Sequence, residues 1–178
     1  MDSKFEALKG LGAGEFEHLN GSLIQHLNST TELLEKWGAS TDLSDAGLYH
    51  AAYGTTGFDT QIVNLDMRSQ IAEIIGIAAE SIVYLYCSCD RDFVFTNIEN
   101  DTPIQFRDRF TNTEFILAPK QAKEFCELTV ANEMELVLSS TKFKEQHGEG
   151  LFQLFGKMEC DLSSSAISSY IIELSDDG

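Results

Sequence analysis

The sequence predicts a mainly α-helical chain folded as one compact domain, and three observations support this. Only two prolines, Pro103 and Pro119, interrupt 178 residues, so most of the chain is free to be helical. Apolar residues recur at i, i+3/i+4 and i+7 in several segments, the period of a helix with one buried face. The third is size and composition. At 178 residues, with 43% hydrophobic and 10% aromatic side chains, the chain can bury a real core, which a disordered acidic protein cannot. The domain is expected to span 1–178, with its core over about residues 15–158 and a C-terminal extension at 159–178.

The elements follow in order. From Glu15 to Lys36, Phe16, Leu19, Leu23, Leu27 and Leu34 form an amphipathic stripe, and Gly38 is placed to stop the helix. Thr41-Asp42 suits the start of a second helix running through Leu43, Ala46, Gly47 and His50 to about Tyr53, before the Gly54–Gly57 loop. Asp66 to Ile75 carries Met67, Ile71, Ile74 and Ile75 and is closed by Gly76, and Ala78 to Cys87 reads as a buried helix. Between Asp90 and Leu117 apolar residues scatter among Thr, Asn and Asp around Pro103, so a long loop or a small hairpin is expected there, of the kind that covers a site. Pro119 fits the first turn of a helix that ends near Ser139-Ser140, and Phe143 to Met158 predicts another. Ser163 to Gly178 suits helix or strand equally.

Charge excludes whole classes of function. Twelve Lys and Arg against 29 Asp and Glu leave a net charge of −17, a field that repels nucleic acid and anionic membrane surfaces alike. No run approaches the ~18 apolar residues of a bilayer span, and Met1-Asp2-Ser3-Lys4 opens no signal peptide. Cys87, Cys89, Cys126 and Cys160 are too few for a disulfide scaffold. They read as reduced, mostly buried thiols, with zinc on Cys87 and Cys89 as the lesser alternative. A cytoplasmic protein is the expectation. Gly54-Thr55-Thr56-Gly57 lacks the lysine and preceding strand of a phosphate cradle, and no nucleophile elbow occurs.

Three polar residues stand in apolar stripes. His26 follows Leu23 by three positions and Leu19 by seven; His50 follows Ala46 by four and Leu43 by seven; Asn132 sits midway between Leu128 and Leu136. A buried imidazole or amide costs about 1–3 kcal/mol unless bonded to a partner or a metal. Each of these residues is therefore either a satisfied core group or part of one internal site on three helices. His18, about 80° round the first helix from His26, lines the mouth of that site or lies on the surface. Glu135 is the nearby acid able to turn inward, and His147 has no evident role.

The stretch from His18 to Phe58, with its H-L, W-G-A and A-G-L-Y-H-x-x-Y-G-T elements, resembles an uncharacterised bacterial domain family. The order of elements over 18–138 is more distantly similar to the HD superfamily of metal-dependent phosphohydrolases. That resemblance implies a helical HD-like fold. It matches His26 to an early metal-ligating His, His50 to the His of the His-Asp pair, and Asn132 to the place of a final Asp. The pair's Asp is Ala51 here, so both metal-binding acids are replaced.

Two functions follow. One is a metal-dependent hydrolase acting on a small phosphoester or nucleotide-like substrate. In it His26, His50 and His18 hold a divalent transition metal (Mn, Fe, Zn or Ni) that makes hydroxide available near neutral pH. Tyr53 and Glu135 are then the catalytic candidates, and Thr55 and Asn132 the substrate-binding ones. An oxidative di-iron variant would need more carboxylates than the sequence places. The other is a catalytically degenerate HD-like domain that binds a small ligand or a protein partner.

Overall fold

The structure is a computed structural model that describes residues 3–12, 17–18, 21–58 and 60–175. It is mainly helical, with nine α-helices and two short hairpins among the described residues. The chain divides into two compact units, Met1–Cys89 and Asp90–Gly178.

The first unit contains α1 (Ser3–Gly10), a two-residue hairpin of β1 (Glu17–His18) and β2 (Gly21–Ser22), α2 (Leu23–Lys36), α3 (Thr41–Tyr49), α4 (Arg68–Ile75) and α5 (Ile77–Cys87). The helix expected from Glu15 starts instead at Leu23. There the Ser22 hydroxyl accepts from the Gln25 N–H at 3.3 Å and caps the first turn. His18 therefore belongs to β1 and not to the face of α2, and its side chain lies outside the described residues, as do Phe16 and Leu19. The stop is as expected: Gly38 takes φ +82° while its N–H reaches Glu35 O and that of Ala39 reaches Leu34 O. Ser40 rather than Thr41 caps α3, accepting from Leu43 N–H at 3.2 Å. This helix ends at Tyr49, so His50 is its C-terminal cap and Ala51 to Tyr53 are turn residues. A 3-10 turn (Leu65–Met67) leads into α4, and Gly76, at φ +94°, separates α4 from α5.

α3 packs against α2 and α5, and α4 closes on α5. Leu23, Leu27 and Leu34 of α2 are buried as the stripe requires, and so are Leu43, Ala46 and Leu48 of α3. α1 is tied down by the Lys4–Asp45 ion pair at 2.5 Å and by the Tyr49 hydroxyl donating to Lys4 O at 2.8 Å.

The second unit contains α6 (Arg91–Asn97), β3 (Gln105–Asp108), β4 (Thr113–Ile116), α7 (Pro119–Ser139), α8 (Thr141–Met158) and α9 (Ser164–Leu174). The hairpin expected between 90 and 117 is present, with Gln105 opposite Ile116 and Asp108 opposite Thr113. Part of that stretch is helix α6 rather than loop, because the Asp90 carboxylate accepts from Phe93 N–H at 3.2 Å and starts a turn. Pro119 opens α7 as expected. The C-terminal segment resolves to helix: the Ser163 hydroxyl caps α9, and Glu127 of α7 grips the cap by accepting from Ser163 N at 2.9 Å and Oγ at 2.5 Å.

Candidate functional site

The first unit brings two of the expected residues together. His26 on α2 and His50 at the end of α3 are 5% and 2% exposed, and their rings meet edge-on with centroids 5.2 Å apart at 78°. His50 is held from three sides. Its Nδ1–H donates to Gly47 O at 2.6 Å, its carbonyl accepts from the Cys87 thiol at 3.1 Å, and Tyr86 of α5 contacts its ring edge-on at 5.5 Å. Donation from Nδ1 selects the tautomer whose lone pair is on Nε2.

Ala51, where the resembled hydrolases carry an acid, is 2% exposed and apolar. Among the described residues no three His, Cys, Asp or Glu side chains are grouped so as to hold a metal ion. No buried side-chain nitrogen or oxygen among them lacks a hydrogen-bond partner. Among the described residues the two imidazoles thus stand without the third His, Cys, Asp or Glu ligand that the resembled metal centres use.

Tyr53 belongs to a neighbouring cluster. Its hydroxyl donates to Glu80 Oε1 at 2.9 Å, and Arg68 grips both carboxylate oxygens, Nε to Oε1 at 2.7 Å and Nη2 to Oε2 at 2.9 Å. The guanidinium also stacks 3.8 Å from the Tyr84 ring centre. Burial first, and then the Glu80 charge, push the Tyr53 hydroxyl far above its ordinary range, which favours the protonated, donating form. Thr55 spends its hydroxyl oxygen on Phe58 N–H at 3.1 Å within a tight turn, and Thr56 donates to Cys89 O at 2.9 Å.

Asn132 and Glu135 stand on α7 of the second unit. Asn132 is 7% exposed and its amide donates to Glu133 Oε1 at 3.1 Å, which Arg91 also engages at 3.1 Å; Glu135 is half-buried.

The Glu80–Arg68 pair was not foreseen as a site. Its signal was present: Glu80 precedes Val83 by three and Cys87 by seven, an acid in the buried stripe of the most apolar helix.

Fold and site thus define a class: a mainly helical protein whose first unit is organised round a buried histidine contact and a buried carboxylate clamp. Residues 7–91 match a family described as "Domain of unknown function (DUF6817)", which is the first unit almost in full. No curated protein and no solved structure matches the chain.

Proposed function

We propose that this protein is a non-catalytic, HD-like binding module, in which the histidines of a hydrolase-type scaffold serve as core contacts. The observation that carries the reading is the setting of His50. Its Nδ1–H is satisfied by Gly47 O, its ring is packed against His26 and Tyr86, and Ala51 follows it where an acid would be needed. Asn132, in the place of the last acid, bonds to Glu133, whose charge Arg91 offsets. We extend the reading to a cytoplasmic location, supported by the free thiols of Cys87, Cys89, Cys126 and Cys160, three of them buried.

A second reading, a metal-dependent hydrolase acting on a small phosphoester, is favoured by one feature. A histidine whose Nδ1–H bonds a backbone carbonyl is oriented as metal-ligating histidines are. It requires a third donor, for which His18 remains the candidate.

Metal content by plasma mass spectrometry, measured on wild type beside His26→Ala and His50→Ala after incubation with Mn, Fe, Zn or Ni, decides between them. The binding-module reading expects no stoichiometric metal and no turnover of p-nitrophenyl phosphate. About one equivalent of metal, lost in both variants, overturns it in favour of the hydrolase.

A further inference from the structure

Between α8 and α9 the second unit carries an open groove of about 950 Å³ that neither the histidine contact nor the carboxylate clamp uses. On α8 its lining residues Glu145, Gly148, Glu149 and Phe152 follow at i, i+3, i+4 and i+7, a single helix face. Gly148 keeps the floor low, since a Cβ there would meet Leu174 Cδ2 at 3.3 Å. From α9 the groove receives Ile172, 76% exposed, opposite a Phe152 that is 37% exposed. Large apolar side chains are kept in water here although both helices have a core to pack into, as the burial of Phe155 and Tyr170 shows.

The rim selects the occupant. Glu145, Glu149 and Glu173 line the groove, and the lining cation Lys144 already lies 3.4 Å from Glu173. A second copy would bring another acidic rim and another −17 charges to the contact, so self-docking is opposed. We propose that the groove docks a basic amphipathic helix of a partner protein. Its apolar face would seat on Phe152, Ile172 and Leu174, and its Lys or Arg residues would meet Glu145 and Glu149. The proposal names the partner class of the binding module and so rests on that reading.

The test uses the full chain and a fluorescent synthetic peptide of about four helical turns, Leu on one face and Lys elsewhere. A scrambled peptide of equal charge without the apolar face is the control. The expected result is saturable, salt-sensitive one-to-one binding of the faced peptide only, weakened at least ~tenfold by Ile172→Asp and by Glu149→Lys. Ile172→Asp makes the chain more acidic, so its loss of binding cannot come from weaker charge attraction. Ile77→Asp, the same change at a 78% exposed position in the first unit, should leave affinity unchanged. All three sites are at the surface, and circular dichroism verifies the fold.

Equal binding of faced and scrambled peptides, or equal weakening by Ile77→Asp, overturns the proposal as unspecific charge attraction. Concentration-dependent dimerisation in sedimentation that Ile172→Asp abolishes overturns it in favour of a second copy. Any of these failures in metal-free protein leaves the binding-module reading standing. Stoichiometric metal on His26 and His50 defeats that reading whatever the peptide does.

Discussion

At the scale of single residues, Glu80 matters most. A carboxylate with a 5% exposed side chain is tolerable only because Arg68 binds it twice and Tyr53 donates a third hydrogen bond. Arg68→Ala leaves that charge buried with two of its three hydrogen bonds gone. It should lower stability by about 1–3 kcal/mol, a figure moderated by the 40% exposure of the Arg68 side chain. Tyr53→Phe removes one hydrogen bond and should cost about 1 kcal/mol. Urea unfolding midpoints test the order; equal losses would mean that water reaches the carboxylate. His26 and His50 were legible at this scale because helical spacing put both on inward stripes. Their mutual contact was not, since it depends on how α2 and α3 cross. The local partner of the Thr55 hydroxyl oxygen, Phe58 N–H, only appears once the turn is closed.

At the scale of elements, glycine shows how differently one residue type behaves with packing. In α3, a Cβ on Gly47 would lie 2.6 Å from Leu34 Cδ1, and Leu34 is fully buried. Gly47→Val should therefore overpack the α2–α3 contact and cost about 1–3 kcal/mol. In α8, Gly150 and Gly156 have nothing within 4 Å of such a Cβ. Alanine at either position should stabilise the helix by about 0.5–1 kcal/mol by restricting the unfolded chain, seen as a raised thermal midpoint. Element boundaries were readable wherever a cap wrote them: Gly38, Gly76 and Pro119 fall where the sequence put them. The start of α2 was misplaced because the apolar period runs on through Leu19 and Phe16, while Ser22 supplies the cap that ends it. α6 was missed because its seven residues are too short for periodicity, although Asp90 before Arg91-Asp92 is a readable N-cap.

For the whole molecule, the titration of buried groups sets a limit on the alkaline side. Burial raises Cys126 above its ordinary 9.0, and raises Tyr53 and Tyr170 above 10.0, the tyrosines further opposed by Glu80 and Glu159. The folded state therefore holds these protons more tightly than the unfolded chain does. Stability should be intact below pH 9.0, then fall as pH rises past 9.0 and 10.0 toward the raised folded values. Unfolding midpoints from pH about 8 to about 11 should show this decline, shallower in a Tyr53→Phe, Tyr170→Phe variant. A flat profile would show that these groups ionise without unfolding. The division at Cys89–Asp90 also belongs to this scale. No proline or glycine marks it; the change of character at Asp90 was legible, but not that two compact units meet there.

The sequence by itself determined the helical class, most of the helices and the inward direction of His26 and His50, because these follow from spacing along one chain and from caps within a few residues. It also determined the net charge of −17. Only the tertiary structure decided that His50 is closed in by Gly47, Tyr86 and Cys87, that Glu80 is clamped by Arg68, and that α8 and α9 leave a groove open. Those features join residues from different helices. Hydrophobic period specifies that a face is buried but not what it is buried against, and the partner decides whether a polar group is a ligand or a strut.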